Sequence, residues 1–290
     1  MKIVFMGTPG FAVPCLERLI KDGHEISAAF TQPDKPQGRK MQLTPSPVKV
    51  AALAHGISIE QPKRLKGDRQ VPELLRGLAL DFIIVVAYGN ILPQELLDIP
   101  RYGCINVHAS LLPKYRGAAP VQWAILNGER ETGVTTMQMD AGIDTGDMLL
   151  QEKIAIPDSM TAGELYDALS DLGAETLSRT LNLLERGSLK LKKQDGTQAT
   201  HAPMLSKAFS PLDWNRPAQE LHNQVRGLNP WPGATMQYES RQLKIHRSRV
   251  AGVPQGFGMQ CGDGNYLELL EVQPVGKKKM TGVDFLRGVQ

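Results

Sequence analysis

Cysteine is scarce in this sequence. Cys15, Cys104 and Cys261 are the only three, far apart and odd in number. That excludes a disulfide framework and offers no metal-ligand spacing, so free thiols in a reducing cytosol are expected. No apolar run approaches the roughly 20 residues of a membrane-spanning helix. The first apolar stretch is broken at once by Gly7-Thr8-Pro9-Gly10, unlike a secretory signal. No Gly-x-Gly-x-x-Gly follows that first strand, so no dinucleotide is expected. Charge of one sign is also lacking. The formal net charge of +3 is too small to argue for nucleic acid by itself. From residue 206 onward, however, 11 Lys and Arg face 7 Asp and Glu, against 22 and 23 before it. The C-terminal part is therefore mildly basic, which fits a polyanionic partner without requiring one. Neither an internal repeat nor a low-complexity tract is visible.

The composition is otherwise that of a soluble globular chain, 41% apolar and 22% charged, long enough for a sizeable core. Residues 2–6 read as a buried strand, followed by a Gly-rich turn and a helix from about Val13 to Gly23. That is the opening of a βαβ unit, with either an anion site at the helix start or a plain tight turn. Residues 25–31 and 57–59 read as strands, 47–55 and 71–78 as helices. The run Phe82-Ile83-Ile84-Val85-Val86 suggests a central strand buried on both faces. A strand at 103–108, a helix at 120–127, strands at 132–139 and 148–156, and a leucine-striped helix at 161–186 follow. Alternating strands and helices predict an α/β, doubly wound, mostly parallel sheet, with ligands beyond the carboxyl ends of its strands. Residues 188–205 are polar and read as a linker. Beyond them the spacing predicts a helix over 211–229. Short strands then follow at 234–238, 242–247, 258–261 and 266–272, a small barrel or sandwich. The expected division is residues 1–187, the linker, and residues 206–290.

The chain is organised around residues 104–120. Ile105 and Val107 alternate with Asn106 and His108, so the two polar side chains share one face as the strand runs out. A carboxamide and an imidazole side by side can donate to an oxygen that becomes negative, as acyl chemistry requires. Taken alone, the pair reads equally as a strand end and a satisfied histidine. Further on, Met137-Gln138-Met139-Asp140-Ala141-Gly142-Ile143-Asp144-Thr145-Gly146-Asp147 places carboxylates in a Gly-punctuated loop after an apolar strand. Residues 32–47 form a connection far longer than the usual 2–6 residues. It carries Lys35, Arg39 and Lys40 beside one Asp34 and reads as a functional or merely solvated loop. Lys277-Lys278-Lys279 is a basic run near the far end, either a solvated tip or a phosphate contact.

Asn106, His108, the Ser110–Pro113 loop and Asp144 resemble the signature of formyltransferases that use 10-formyltetrahydrofolate. Tyr115-Arg116-Gly117-Ala118-Ala119-Pro120 and Asn229-Pro230-Trp231-Pro232 make the chain similar in particular to the methionyl-tRNA formyltransferases. The resemblance implies a Rossmann-like catalytic domain and a C-terminal open β-barrel of OB type that binds tRNA. It implies transfer of the formyl group to the amine of initiator methionyl-tRNA by a monomeric cytoplasmic enzyme, with no metal and no membrane. Asn106, His108 and Asp144 would be catalytic. Val86, Tyr88, Gly89, Leu92, Ser110, Leu111, Leu112 and Pro113 would line the folate, and Lys35, Arg39 and Lys40 would meet the tRNA acceptor stem. Three readings compete: a formyltransferase for a UDP-amino sugar, a hydrolase with water as acceptor, and a non-catalytic folate- or tRNA-binding protein.

Overall fold

The structure is a computed structural model that describes residues 1–37 and 41–288. Its elements, in chain order, begin with β1 (Lys2–Gly7), α1 (Val13–Lys21), β2 (Glu25–Phe30), β3 (Lys35–Gln37), β4 (Gln42–Thr44), α2 (Pro47–Ala54), β5 (Ile59–Glu60), α3 (Gln70–Gly77), β6 (Phe82–Val86), α4 (Gln94–Leu97) and β7 (Cys104–His108). They continue with α5 (Pro120–Leu126), β8 (Glu131–Gln138), β9 (Met148–Ala155), α6 (Ala162–Glu185) and α7 (Ala218–Gly227). The last are β10 (Ala234–Tyr238), β11 (Arg241–Ala251), β12 (Gly258–Gln260), β13 (Tyr266–Pro274), β14 (Met280–Thr281) and α8 (Gly282–Arg287). The chain divides into two compact units. The first comprises Met1–Arg116, Gly133–Lys153 and Asp167–Thr200; the second comprises Gly117–Thr132, Ile154–Tyr166 and His201 onward.

The first unit is built on a seven-stranded sheet ordered β5-β2-β1-β6-β7-β8-β9. Strands β5, β2, β1, β6 and β7 run parallel, while β8 pairs antiparallel with β7. All five residues of β6 are buried, as its unbroken apolar run requires of a central strand. The turn after β1 needs its glycine: a Cβ at Gly7 would lie 2.8 Å from the Ala12 Cβ. Helix α1 ends as its sequence predicts. Gly23 takes φ +80°, its N–H bonds the Ile20 carbonyl, and the His24 N–H reaches back to Leu19. Helix α6 starts with a reciprocal cap: the Glu164 carboxylate accepts from the Thr161 N–H at 2.8 Å, and the Thr161 hydroxyl oxygen accepts from the Glu164 N–H at 3.3 Å. Leu169, Leu177 and Leu181 are buried along its stripe, while Leu172 and Leu184 are half-buried. Gly173 costs this helix about 1 kcal/mol relative to alanine. It also lets the helix approach β7, since a Cβ there would stand 3.2 Å from Val107. The strand that carries Asn106 and His108 is thus seated from behind.

The long connection after β2 contains a hairpin that its composition did not announce, β3 paired antiparallel with β4. In the second unit, the helix expected over 211–229 starts only at Ala218. Leu212 donates to the Thr235 carbonyl and Thr235 to the Ser210 carbonyl, so the preceding segment is spent as an extended partner of β10. Pro217 marks the change as the residue before the helix. Strands β10, β11, β13 and β12 pair antiparallel in that order, with β14 on the far part of β13. β11 is longer than expected and absorbs its curvature at register shifts between Ile245 and Ser248. Among the described residues these pairings form a smaller curled sheet and not a closed barrel. Its core of Leu221, Val225, Ile245, Leu267 and Leu269 is capped by the stacked rings of Phe257 and Phe285 at 5.5 Å. α8, capped by the Thr281 hydroxyl, was not legible as a separate element.

A candidate active site at the end of β7

Asn106 and His108 share one face of β7, and Asp144 is brought to that face between them. The Asn106 Nδ2–H donates to Asp144 Oδ1 at 3.3 Å, and His108 Nδ1 stands 3.6 Å from Asp144 Oδ2. The His108 and Asp144 side chains are only 7% and 12% exposed, so this is a shielded cluster and not a surface pair. The other ring nitrogen is committed elsewhere: Nε2–H donates to the Tyr115 carbonyl at 2.9 Å. A carbonyl only accepts, so Nε2 carries the proton. Nδ1 is then the nitrogen that faces the carboxylate. Asn106 holds the other carboxylate oxygen. The carboxamide nitrogen of Asn106 carries a second hydrogen besides the one given to Asp144.

The route by which Asp144 arrives differs from the sequence expectation. Its loop was expected at the carboxyl edge of the sheet, with the loops after β6 and β7. Because β8 is antiparallel, Gln138 pairs with Ile105, and the loop departs beside the start of β7, where the Met139 N–H bonds the Cys104 carbonyl. Residues 139–147 fold back over the sheet face to return Asp144 to His108. Asp144 does so at φ +54°, the left-handed region that aspartate tolerates better than most residues. The loop is tied from within: Asp140 Oδ1 accepts from the Gly142 N–H at 3.0 Å and from the Thr145 hydroxyl at 2.6 Å. At Gly146 a Cβ would lie 1.7 Å from the Gln138 carbonyl, so only glycine fits.

Gln194 ties the loop from outside. It lies in the stretch read as a linker. The Lys192 backbone exchanges two hydrogen bonds with Met148 at the start of β9. That pairing delivers Gln194 Nε2 to the carbonyls of Asp144 at 2.9 Å and Gly146 at 2.8 Å. Its Oε1 accepts from Arg116 Nε at 3.1 Å and Nη2 at 2.8 Å. Sequence reasoning missed this residue, since a lone glutamine in a polar segment carries no periodicity or spacing.

The remaining candidates fall into two sorts. Ser110 is fully buried, and its hydroxyl donates to the Lys114 carbonyl at 2.6 Å, so it shapes its own loop. Thr135 donates to the Ser110 carbonyl and accepts from the Leu112 N–H, while Gln151 donates to the Leu112 carbonyl. Leu112 packs with Met137 and Met148, and Leu111 lies over Gly133. Pro113 follows a cis bond. The Tyr115 N–H donates to the Thr200 hydroxyl at 2.8 Å, which fixes the carbonyl that receives His108. Beyond β6, Val86, Tyr88 and Leu92 are buried, whereas Gly89 is exposed at φ +88°. Met139 packs against the cluster that holds Tyr88 and Leu92, which joins the two loops. Ile91 and Ile143, one on each, leave 70% and 61% of their surface open to solvent. The Tyr88 hydroxyl and Asn90 Nδ2 are buried without a well-formed hydrogen bond; burial pushes the tyrosine's pKa up, with Asn90 opposing. Apolar walls with unspent polar atoms behind them suit a planar heterocycle.

Of the basic set, Lys35 is exposed on β3, and Arg39 and Lys40 lie outside the described residues. Lys49 and Gln61 bind Asp34, and the Lys49 hydrogen bond foremost holds its carboxyl below the usual range. Burial pushes the Cys104 thiol, at the head of β7, up to about 12, so it is no nucleophile at neutral pH. Among the described residues no cluster of His, Cys, Asp and Glu could hold a metal, and no helix is long and apolar enough to cross a membrane.

Comparison with known proteins adds names to this geometry. A family model described as Formyl transferase matches residues 1–181, and one described as Formyl transferase, C-terminal domain, matches residues 204–290. Over 300 residues the chain is 48% identical to a methionyl-tRNA formyltransferase of Acidobacterium capsulatum, covering 99% of this chain and 96% of that one. Over 299 residues it is 50% identical to a methionyl-tRNA formyltransferase of Citrifermentans bemidjiense, covering 99% and 93%. The crystal structure of WlaRD, a sugar 3N-formyl transferase in the presence of dTDP and 5-N-formyl-THF, superposes with a TM-score of 0.71 at 22% identity. The match covers 96% of this chain and 99% of that one, and supports the fold alone.

Proposed function

The chain belongs to the formyl transferase family, and on that footing we propose that it formylates the amino group of methionyl-tRNA, with 10-formyltetrahydrofolate as donor. The relatives that carry this name share about half of its residues over nearly its whole length. The observation that carries the chemistry is the convergence of Asn106, His108 and Asp144, one polar side chain to each side of a shielded carboxylate.

The reaction moves one carbon between nitrogens. The neutral amine attacks the formyl carbon, and the carbonyl oxygen becomes negative. The bond from that carbon to the folate nitrogen then breaks. One proton leaves the incoming nitrogen and one reaches the departing nitrogen. Asn106, through its second Nδ2–H, and His108, through Nδ1, donate to the developing oxyanion. Asp144 takes the proton from the amine and hands it on, directly or through water. Tyr115 and Asn106 hold the imidazole and carboxylate in place, so little reorganisation is needed as charge develops.

Val86, Tyr88, Gly89, Leu92 and the Ser110–Pro113 loop form the folate slot in this reading, and Lys35, Arg39 and Lys40 meet the acceptor stem. Residues 1–187 supply catalysis. The basic C-terminal part, with its sheet as part of an open barrel of OB type, supplies tRNA affinity. The enzyme works as a cytoplasmic monomer. The test offers donor labelled in the formyl carbon to three acceptors: methionyl-tRNA, a UDP-amino sugar and water. Label on methionyl-tRNA alone is the expected result. Label on the sugar, or release of formate at an equal rate without acceptor, would replace this reading.

A further inference from the structure

We propose that Gln194 is a positioning residue for formyl transfer, setting the distance between the Asp144 carboxylate and His108. The inference rests on the function proposed above. Its physical content is one carboxamide whose whole hydrogen-bonding capacity is spent between two loops that flank the imidazole. Carbonyls accept and a guanidinium donates, so only one orientation of the amide serves both sides. Nε2 gives one hydrogen each to the carbonyls of Asp144 and Gly146, and Oε1 receives both Arg116 hydrogen bonds. Arg116 follows Tyr115, whose carbonyl holds His108 Nε2–H, and its own N–H donates to the Thr200 carbonyl at 2.9 Å. Gln194 therefore links the loop that carries the carboxylate to the loop that holds the far side of the ring.

The link acts where the structure is least forgiving. Asp144 has a positive φ, and its own carbonyl is one of the two that Gln194 holds. A shift of that segment would move the carboxylate relative to Nδ1, from which it stands at 3.6 Å. Misplacement of reacting groups by about 1 Å costs on the order of 10²-fold in rate. Gln194 makes no hydrogen bond to Asn106 or to the imidazole, and of its three bonded partners only Asp144 carries a reacting group.

Two substitutions separate this role from general support. Gln194→Ala removes both sets of bonds; Gln194→Glu keeps the shape and the bonds from Arg116 but cannot donate to the two carbonyls. Each is measured for single-turnover formylation of methionyl-tRNA, for affinity toward 5-formyltetrahydrofolate as a stable donor stand-in, and for melting temperature. The expected result is a loss of roughly 10–100-fold in turnover in both variants, with donor affinity within about threefold of wild type. In an Asp144→Asn background, Gln194→Ala should change turnover by less than about twofold, because the group it positions is gone. Full activity in Gln194→Glu would overturn the inference, as would additive losses in the double variant. If Gln194→Ala does not fold, the glutamate variant decides alone. Failure of the underlying reading shows separately: there, Asp144→Asn by itself would retain normal turnover.

Discussion

Residues 139–147 and residues 31–46 are the two long connections of the first unit, and they are built on opposite lines. The first is bonded at nearly every turn, by Asp140 from within, by Gln194 from outside and by a glycine that no other residue could replace. Among the described residues the second is anchored near its ends, where Lys49 and Gln61 bind Asp34, and the Thr31 and Ser46 hydroxyls meet at 2.5 Å. Between those anchors it presents a two-stranded hairpin with Lys35 exposed and Met41 and Leu43 about two-thirds exposed. A connection that places one carboxylate within a fraction of an ångström needs every backbone group committed. On the function proposed above, the first loop serves rate and the second affinity for the tRNA.

That assignment can be broken most sharply at His108. His108→Asn keeps a donor near the Nδ1 position but loses the Nε2 bond to Tyr115 and the imidazole that faces Asp144. Turnover should fall by about 10²–10⁴-fold with donor affinity nearly unchanged. A variant with unaltered single-turnover rate and normal melting would remove the imidazole from the chemistry. A smaller effect, of a different kind, is expected from the other loop. Replacing Lys35, Arg39 and Lys40 together by alanine should raise the KM for methionyl-tRNA and leave donor affinity alone. It should also flatten the salt dependence, by nearly one logarithmic unit of slope for each phosphate that is no longer neutralised. An unchanged salt slope would show that this loop does not meet nucleic acid.

How legible these regions were follows from the same contrast. The parallel core was readable because β6 is an unbroken apolar run and α1 carries its own stop signal at Gly23. Asn106 and His108 were readable because a strand's alternation puts them on one face. Asp144 was named by resemblance, but its path was not legible: nothing in the residues of β8 says that it runs antiparallel to β7, and that direction determines where the loop departs. Gln194 was invisible because its partners are backbone carbonyls, which every residue has. The cap at Thr161 and Glu164 was there to be read, a threonine with a glutamate three residues on, and was passed over for the leucine stripe behind it. The expected helix over 211–229 failed in its first third because apolar period alone cannot exclude an extended partner for β10.

That cap yields the smallest of the expected effects, and a control outside both loops. Hydrogen bonding to the Thr161 N–H, and next to Arg247, holds the Glu164 carboxyl down to about 2. A carboxyl depressed in the folded state contributes stability that is present above its unfolded value, near 4.3, and is lost as pH falls toward about 2. Glu164→Gln should therefore cost about 0.3–1.5 kcal/mol near neutral pH, at the low end because both side chains are nearly half exposed. The gap between variant and wild type, followed by urea unfolding, should close between about pH 5 and pH 2. A gap independent of pH would assign the loss to packing. Turnover and tRNA affinity at pH 7 should not move.

The central claim is that a carboxylate held against an imidazole moves the proton of formyl transfer, and Asp144→Asn tests it most directly. Asparagine keeps the shape, can still bond Asn106 through its oxygen, and serves nearly as well as aspartate where a loop is capped through backbone hydrogen bonds. Single-turnover formylation with saturating donor and methionyl-tRNA isolates the chemical step. A fall of about 10²–10⁴-fold with donor affinity retained is the result predicted. Turnover within about threefold of wild type would mean that Asp144 only shapes its loop, and would leave Asn106 and His108 without a proton partner.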